Sequence, residues 1–291
     1  MEKEIERDLL DGISNASGKT TLNQLFKMHM ELKNDFYNLI FSSFELAVDS
    51  NFIRKNPAKG AMENIKQDAR EKIPLSEDEI KRLMDFCINS GTYSVHVPFL
   101  TIAIGTCLRC GELTGLTWND IDMKNRTISV NHQLIYKNFG DGCKFHVSEP
   151  KTDAGKRTIP MTETVHRAFV ELRKQNLILG RRSDAEVDGY SNFVFVSGNG
   201  QPFAINAVNS FLLNMEKAYN KAHPEEAIPH LSAHILRHTG CTLLASAGMD
   251  IKALQNVMGH SDASITMNVY NHSSFERTEK EVQRIDNVIN F

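Results

Sequence analysis

One β-rich section interrupts a chain whose apolar residues otherwise recur mainly with a helical period. The section covers about residues 126 to 160. Within it, residues 127–136 alternate in part between apolar and polar side chains, and Asp141-Gly142 marks a turn. Helical stretches precede this section and resume near Thr162. This order favours a mostly α-helical fold with a small antiparallel β-sheet, of the α+β class.

The helical pattern also indicates where the chain divides into parts. Helical periodicity is visible over about residues 21–33 and 36–48, and Asn56-Pro57 ends that region because the residue before a proline disfavours a helix. A capping box formed by Ser76 and Glu79 opens the next region. We predict four parts: an N-terminal helical module (residues 1–57), a charged linker (58–73), a large domain (74–275) and a tail helix (276–291).

The composition is that of a globular protein with no targeting or membrane segment. Hydrophobic residues make up 41% of the 291 residues, and no apolar run approaches the length of a membrane helix, about 18 residues. The first residues, MEKEIERDLLDGI, are charged and lack the apolar core of a signal peptide. These features predict a cytoplasmic bacterial protein without a membrane partner.

The overall charge argues mildly against nucleic-acid binding, because the formal net charge is -3 and the sequence pI is about 6.4. A net value can still hide a local basic field. Three groups of cations are candidates for such a field: Arg54, Lys55 and Lys59; Lys151, Lys156 and Arg157; Arg181 and Arg182. Each group fits ordinary solvated surface charge equally well.

The cysteines indicate reduced thiols, because their number, five, is odd and no signal peptide is visible. Cys107 and Cys110 form a C-x-x-C pattern around Arg109. No second cysteine pair lies at zinc spacing, and no thioredoxin-like context surrounds this one. We interpret these thiols as packing residues beside the arginine, and the sequence predicts no metal and no other cofactor.

The chemically informative residues concentrate in the stretch from Ala233 to His272. His234 and Arg237 lie three apart and therefore share one helical face. His260 occupies a Met-Gly-His-Ser turn, and Tyr270 lies near the end of a short predicted helix. A phenol among cations and imidazoles can attack a phosphodiester when it loses its proton and the developing phosphate charge is neutralised.

Further motifs upstream complete a recognisable series. The chain contains TCLRCGELTGL at residues 106–116, PKTDAGKRTIP at 150–160, His-x-x-Arg at 234–237 and Gly-His at 259–260, followed by Tyr270. Each motif alone is weak, but their order and spacing together are specific. The series resembles the tyrosine recombinase (phage integrase) superfamily, and most closely the integrases of Gram-positive conjugative transposons. The resemblance covers roughly residues 74 to 291.

The resemblance implies a covalent mechanism on double-stranded DNA. Tyr270 attacks a phosphodiester, forms a 3′-phosphotyrosine and releases a 5′ hydroxyl, and neither metal nor ATP is required. Arg109 and Arg237 suit the binding of the non-bridging oxygens, because guanidiniums grip them bidentately. Lys151 is implied as the general acid that protonates the leaving oxygen, with Lys156 as its rival.

The histidines take supporting roles in this interpretation. His234 either hydrogen-bonds the phosphate or draws the proton from Tyr270. The turn at Gly259 directs the His260 imidazole toward the phosphate. His238 is interpreted as a packing residue that points elsewhere on the helix.

The sequence therefore predicts a site-specific DNA recombinase of a mobile element. Only two helical stretches stand where the family has a core-binding domain of four or five helices, so the N-terminal module is predicted to be shortened. One alternative is a DNA-binding remnant without full strand exchange. Another is strand nicking and resealing as in type IB topoisomerases. The apolar stripe of residues 276–291 docks either on its own domain or on a neighbouring subunit, where it would support self-association on DNA.

Overall fold

The chain divides into two compact units, Met1–Glu71 and Lys72–Phe291. The computed structural model describes residues 34–50, 52–59, 73–140, 142–150 and 152–260. The helix predicted at residues 21–33 and the tail helix predicted at 276–291 lie outside these residues. The boundaries predicted for the module, the linker and the tail therefore stay predictions.

In the first unit, helix α1 (Asn34–Asp49) corresponds to the helix predicted at residues 36–48. The segment that follows it folds back through Asn56. The Asn56 side-chain amide donates to the Phe41 carbonyl at 3.1 Å and to Glu45 Oε1 at 2.6 Å, while its oxygen accepts from the Ala58 N–H at 2.9 Å. One buried amide thus fixes the segment that follows α1 against the helix itself.

The second unit begins with three helices: α2 (Glu77–Ile88), α3 (Val97–Thr106) and α4 (Cys110–Gly115). The predicted capping box opens α2, where Ser76 Oγ accepts from the Glu79 N–H at 3.2 Å and the Glu79 carboxylate accepts from the Ser76 N–H at 2.7 Å. Helix α3 is predominantly apolar, and most of its side chains, including Phe99 and Leu100, are buried. A helix without a broad polar face is not suited to the surface, so α3 lies in the core.

Five strands follow: β1 (Ile121–Asp122), β2 (Thr127–Val130), β3 (Gln133–Asn138), β4 (Cys143–Ser148) and β5 (Arg157–Pro160). They form two antiparallel sheets rather than one. Strands β1, β2 and β5 pair in that order, with Ile128 opposite Ile159, and β3 pairs with β4 as a separate hairpin. The small antiparallel sheet is confirmed, although β1 lies outside the predicted β-rich section.

The two sheets separate at His132, the residue just before β3. Its Nε2 lies 2.7 Å from the Gly115 carbonyl oxygen at the end of α4, and its ring packs on Tyr190 with centroids 4.3 Å apart. The ring is almost fully buried. Because this residue is anchored on α4, the chain leaves β2 and continues as a hairpin that packs on α4 instead of extending the first sheet.

Four helices complete the described part of the second unit: α5 (Glu163–Ile178), α6 (Ile205–Ala222), α7 (Ala233–Ser246) and α8 (Ile251–Met258). Helix α3 contacts both α5 and α7. The α3–α7 contact is very close, because a Cβ added at Gly240 would lie 2.1 Å from the Ile104 carbonyl oxygen. The mostly helical fold predicted from the sequence is confirmed. Within the described residues, none of the helices is long and apolar enough to cross a membrane.

Candidate active site

Arg109 lies where α3 gives way to α4. Helix α3 ends at Cys107, which adopts a left-handed conformation with φ 54°, and Arg109 is the residue that precedes α4. Its Nη1 donates to Glu112 Oε1 at 2.8 Å, and its Nη2 donates to the Gly259 carbonyl at 3.0 Å. The side chain remains 42% exposed. A guanidinium held on one side and open on the other can receive an anion from solvent.

Arg237 projects from α7 and is buried, with 5% of the side chain exposed. Its Nη1 donates to the Cys107 carbonyl and its Nη2 to the Met258 carbonyl, each at 2.7 Å. Burial, with the nearby charge of Arg109, lowers the pKa of the guanidinium to about 10. Arg237 therefore stays charged near neutral pH, and the sequence prediction that it accompanies Arg109 is consistent with this geometry.

A buried ion pair, Glu112 with Arg157, lies beneath both predicted arginines. The Arg157 side chain is 7% exposed, and its Nη2 donates to Glu112 Oε2 at 2.9 Å. Burial alone raises the pKa of the Glu112 carboxyl. The hydrogen bonds and charge of Arg157, together with the backbone and side-chain hydrogen bonds of Arg109, outweigh burial and hold that pKa below its usual value. Three guanidiniums around one carboxylate leave an excess of positive charge, which suits an anionic ligand.

The placement of Arg157 corrects the sequence analysis, which grouped it with surface cations. Its partner Glu112 lies 45 residues away, so no local pattern indicated the pairing. Glu112 itself was partly visible in the sequence, because its spacing of three from Arg109 suits a helix start. Arg157 cannot belong to an exposed basic patch.

His260 follows α8 and its C-cap residue Gly259, which has the left-handed φ of 62° that the Gly-His turn predicted. Its Nε2 lies 3.0 Å from Nη2 of Arg237. Because a guanidinium only donates, Nε2 must accept, and the neutral ring carries its proton on Nδ1. Burial, followed by the charges of Arg237 and Arg109, lowers the pKa of His260 to about 4. The imidazole is therefore neutral near pH 7.

His234 stands in the first turn of α7 and is exposed. Its ring meets the ring of His238 edge-on, with centroids 4.7 Å apart. The charge of His238 also contributes to the lowered pKa of His260. The interpretation that His238 points elsewhere on the helix was therefore wrong, because its ring belongs to the same group of imidazoles.

Two predicted residues, Lys151 and Tyr270, lie outside the described residues. Among the described residues near position 151, Gly155 lies close to Pro150, because a Cβ added at Gly155 would lie 2.3 Å from Pro150 Cβ. Lys156, the rival to Lys151, is half-exposed and donates to Glu149 Oε2 at 2.7 Å. The roles assigned to Lys151 and Tyr270 stay predictions.

The thiols around Arg109 are all free, and all five cysteines lie within the described ranges. Cys107 and Cys241 are buried side by side in one apolar cluster. Burial raises the pKa of Cys107 to about 12 and that of Cys241 to about 11. The interpretation of Cys107 and Cys110 as packing residues agrees with the structure, since Cys107 is buried in this cluster and Cys110 packs against the main core.

Comparison with known proteins places this geometry in context. The sequence model of the phage integrase family matches residues 74–277. The transposase of transposon Tn916 from Enterococcus faecalis is 33% identical over 256 residues, which are 87% of this chain and 61% of that protein. The chain thus spans about three-fifths of the length of the curated relatives it matches.

Solved structures agree with the sequence comparison. The Tn1549 transposon integrase, in complex with a circular intermediate DNA, superposes with a TM-score of 0.76 at 33% identity, covering 98% of this chain and 93% of that one. The XerA recombinase superposes with a TM-score of 0.52 at 20% identity, covering 97% of this chain and 90% of that one, which supports the fold alone.

Proposed function

The chain belongs to the phage integrase family, and from that premise we propose that it is a site-specific DNA recombinase of a mobile element. The observation that carries this proposal is the meeting of Arg109, Arg237 and a neutral His260 at the end of α8. Such a group matches a phosphodiester, whose non-bridging oxygens gain charge as it reacts. The DNA-bound structures of the Tn1549 integrase support double-stranded DNA as the substrate.

The proposed reaction is an exchange of phosphate esters. The Tyr270 oxygen bonds to phosphorus, the bond to the 5′ oxygen breaks, and Lys151 protonates that leaving oxygen. His234 hydrogen-bonds the phosphate or takes the phenol proton. A 5′ hydroxyl of a second strand then displaces Tyr270, so the bond energy is conserved. Fixed guanidiniums supply the charge neutralisation, and we therefore propose that neither metal nor nucleotide is needed.

Strand exchange requires more than one copy on the DNA. We propose that the chain self-associates there and that residues 276–291 dock on a neighbouring copy. The shortened N-terminal module and the domain boundaries at residues 57, 73 and 275 belong to the same proposal. Simple nicking and resealing, as in type IB topoisomerases, is the alternative reaction at the same site.

The proposal can be tested by covalent capture. A library of randomised nicked duplexes is incubated with the protein in EDTA without nucleotide, and the DNA that stays attached after denaturation is sequenced. The wild-type protein should yield an adduct and reveal a preferred sequence. Tyr270→Phe should bind the captured sequence and form no adduct, because only the hydroxyl is lost. A normal yield of adduct from that variant would show that another residue is the nucleophile.

A further inference from the structure

The C-terminal end of α8 gathers three arginines. The last carbonyls of a helix have no partner within it, and here three successive ones, at residues 257–259, are all satisfied by side chains. They accept from Arg157 Nε at 2.9 Å, Arg237 Nη2 at 2.7 Å and Arg109 Nη2 at 3.0 Å, respectively. The negative end of the helix dipole favours cations at this position.

Arg157 differs from Arg109, whose side chain is 42% exposed, in having no side open to a ligand. Besides the α8 carbonyl, it donates from Nη1 to Glu112 Oε1 at 3.1 Å and to the Gly155 carbonyl at 3.0 Å, and from Nη2 to Glu112 Oε2 at 2.9 Å. Four of its five N–H groups are thus committed, and the side chain is nearly buried. Because these donors are committed within the protein, any role of Arg157 in the reaction is indirect.

Glu112 transmits the position of Arg157 to Arg109. Its Oε1 accepts from both side chains, and its Oε2 accepts from Arg157 Nη2 and from the Arg109 backbone N–H at 2.9 Å. Each carboxylate oxygen therefore joins one donor of Arg157 to one donor of Arg109. The carboxylate cannot rotate without breaking one of these bonds, so it fixes the direction of the Arg109 guanidinium.

Gly259 shows how closely Arg157 is packed under this end of the helix. A Cβ added at Gly259 would lie 2.7 Å from Arg157 Nη1 and 2.9 Å from its Cζ. The residue also has φ 62°, which disfavours any side chain. The turn that presents the Gly259 carbonyl to Arg109 therefore packs directly on the Arg157 guanidinium.

We propose that Arg157 is a positioning residue for the recombination reaction. Through Glu112 and the end of α8, it aims the Arg109 guanidinium at a non-bridging oxygen of the scissile phosphate. This proposal rests on the proposed function, because it assumes that Arg109 binds that phosphate. A Lys at position 157 keeps the charge but loses the planar fork that holds Glu112 and α8 together.

Substrate chemistry separates positioning from general stability. A methylphosphonate linkage replaces one non-bridging oxygen by a methyl group, so it has no charge there for a guanidinium to neutralise. The rate of adduct formation is measured for Arg157→Lys on the captured sequence with an ordinary phosphodiester and with each methylphosphonate diastereomer. Arg167→Lys is the matched control, because Arg167 also pairs with a glutamate, at 2.9 Å, but on the surface of α5.

We expect Arg157→Lys to lose cleavage rate only on the charged substrate, the ordinary phosphodiester. Arg157→Lys should cleave the phosphodiester about tenfold to a hundredfold more slowly, while its rate on one methylphosphonate diastereomer stays within about threefold of wild type. Arg167→Lys should match wild type on both. Because the ratio of two rates from one preparation does not depend on the folded fraction, partial unfolding cannot imitate this result. Equal losses on both substrates, or no loss on either, would overturn the proposal.

A second measurement needs no cleavage and therefore separates this proposal from the proposed function. In a ¹⁵N spectrum of the full chain, the Nε–H signal of Arg109 should move toward that of free arginine in Arg157→Lys and stay in place in Arg167→Lys. An unchanged Arg109 signal would overturn the positioning role even if the wild-type protein forms no adduct. If the wild-type protein formed no adduct but the Arg109 signal still shifted in Arg157→Lys, the proposed function would be wrong and the positioning role would stand.

Discussion

At the scale of single residues, the bond between Arg237 and His260 constrains the charge of the site. The imidazole must accept from the guanidinium, so a protonated ring would place a donor against a donor. The same cations that suit a phosphate therefore keep His260 neutral. The neutral ring keeps its single N–H on Nδ1.

The lowered pKa of His260 predicts a specific dependence of stability on pH. The ordinary pKa is 6.5 and the folded value is about 4, so between these values the unfolded chain binds a proton that the folded chain does not. Stability should fall as the pH is lowered through this window. Thermal unfolding of wild type and His260→Gln between pH 7.5 and pH 4 isolates the effect, and the wild-type protein should lose more stability. Parallel curves for the two proteins would contradict the lowered pKa.

Lys151 can be tested by changing the leaving group. If it protonates the leaving 5′ oxygen, Lys151→Ala should cleave an ordinary phosphodiester at least about a hundredfold more slowly. A 5′-bridging phosphorothiolate leaves without that proton, so its cleavage should be largely restored. The measurement is the adduct rate on the two substrates. Equal impairment on both would move the role to another residue, with Lys156 the first to examine.

Residue types and spacing predicted Arg109, Arg237 and His260, and the structure brings these three together. Spacing works for such residues because each is placed by its own helix or turn. It failed for Arg157, whose burial depends on partners 45 and 100 residues away. Nothing local in a sequence separates a buried cation from a solvated one when the compensating charge lies on another element.

At the scale of secondary structure, the contact between α3 and α7 sets the distance between Arg109 and Arg237. Arg237 on α7 donates to the carbonyl of Cys107, the residue that ends α3, two positions before Arg109. Gly240 lies one turn further along α7, at the closest approach of the two helices. Any change in the separation of α3 and α7 must therefore move Arg237 relative to Arg109.

Gly240→Ala should disturb this arrangement. The new Cβ would lie 2.1 Å from the Ile104 carbonyl oxygen and 2.8 Å from Cys107 Sγ, so the helices must separate. We expect a loss of about 1–3 kcal/mol in the free energy of unfolding, as for other overpacked cores. Adduct formation per folded molecule should also fall, because the arginines part. Denaturant unfolding and the adduct assay check both effects.

Gly198→Ala is the matched control, since a Cβ there has nothing within 4 Å. It should leave stability and adduct formation close to wild type. If Gly240→Ala destabilised the protein but cleaved normally per folded molecule, the spacing of α3 and α7 would not be what positions the arginines.

Local signals predicted the elements best. The capping box predicted at Ser76 is formed as expected, and helices resume at Glu163, directly after the predicted position near Thr162. Apolar periodicity and capping depend on residues only a few positions apart, so the sequence alone predicts them. The split of the β-rich section into two sheets was missed, because it depends on the contact between His132 and the end of α4.

At the scale of the whole molecule, the proposed DNA binding has to be reconciled with a net charge of -3. Such a chain can bind DNA only where its cations are grouped. Within the described part of the first unit, Arg54, Lys55 and Lys59 are all exposed and lie close together in the sequence. We propose that they contact phosphates and contribute to the affinity of the N-terminal module.

Salt dependence measures such contacts directly, because each neutralised phosphate contributes about 0.9 to the slope of log affinity against log salt. Replacing Arg54, Lys55 and Lys59 by Ser should therefore make the slope shallower by up to about three units. The measurement is the affinity for the captured duplex over a range of salt concentrations.

A second triple variant separates local contacts from net charge. Arg167, Lys174 and Lys217, which are also exposed, are replaced by Ser, so both variants lose three positive charges. The slope for this control should change by less than about one unit, because a diffuse charge releases few condensed ions. Two variants with equal slopes would show that the module binds through a general field. In that case the N-terminal module would have no phosphate contacts of its own at these three positions, and binding would rest on other residues.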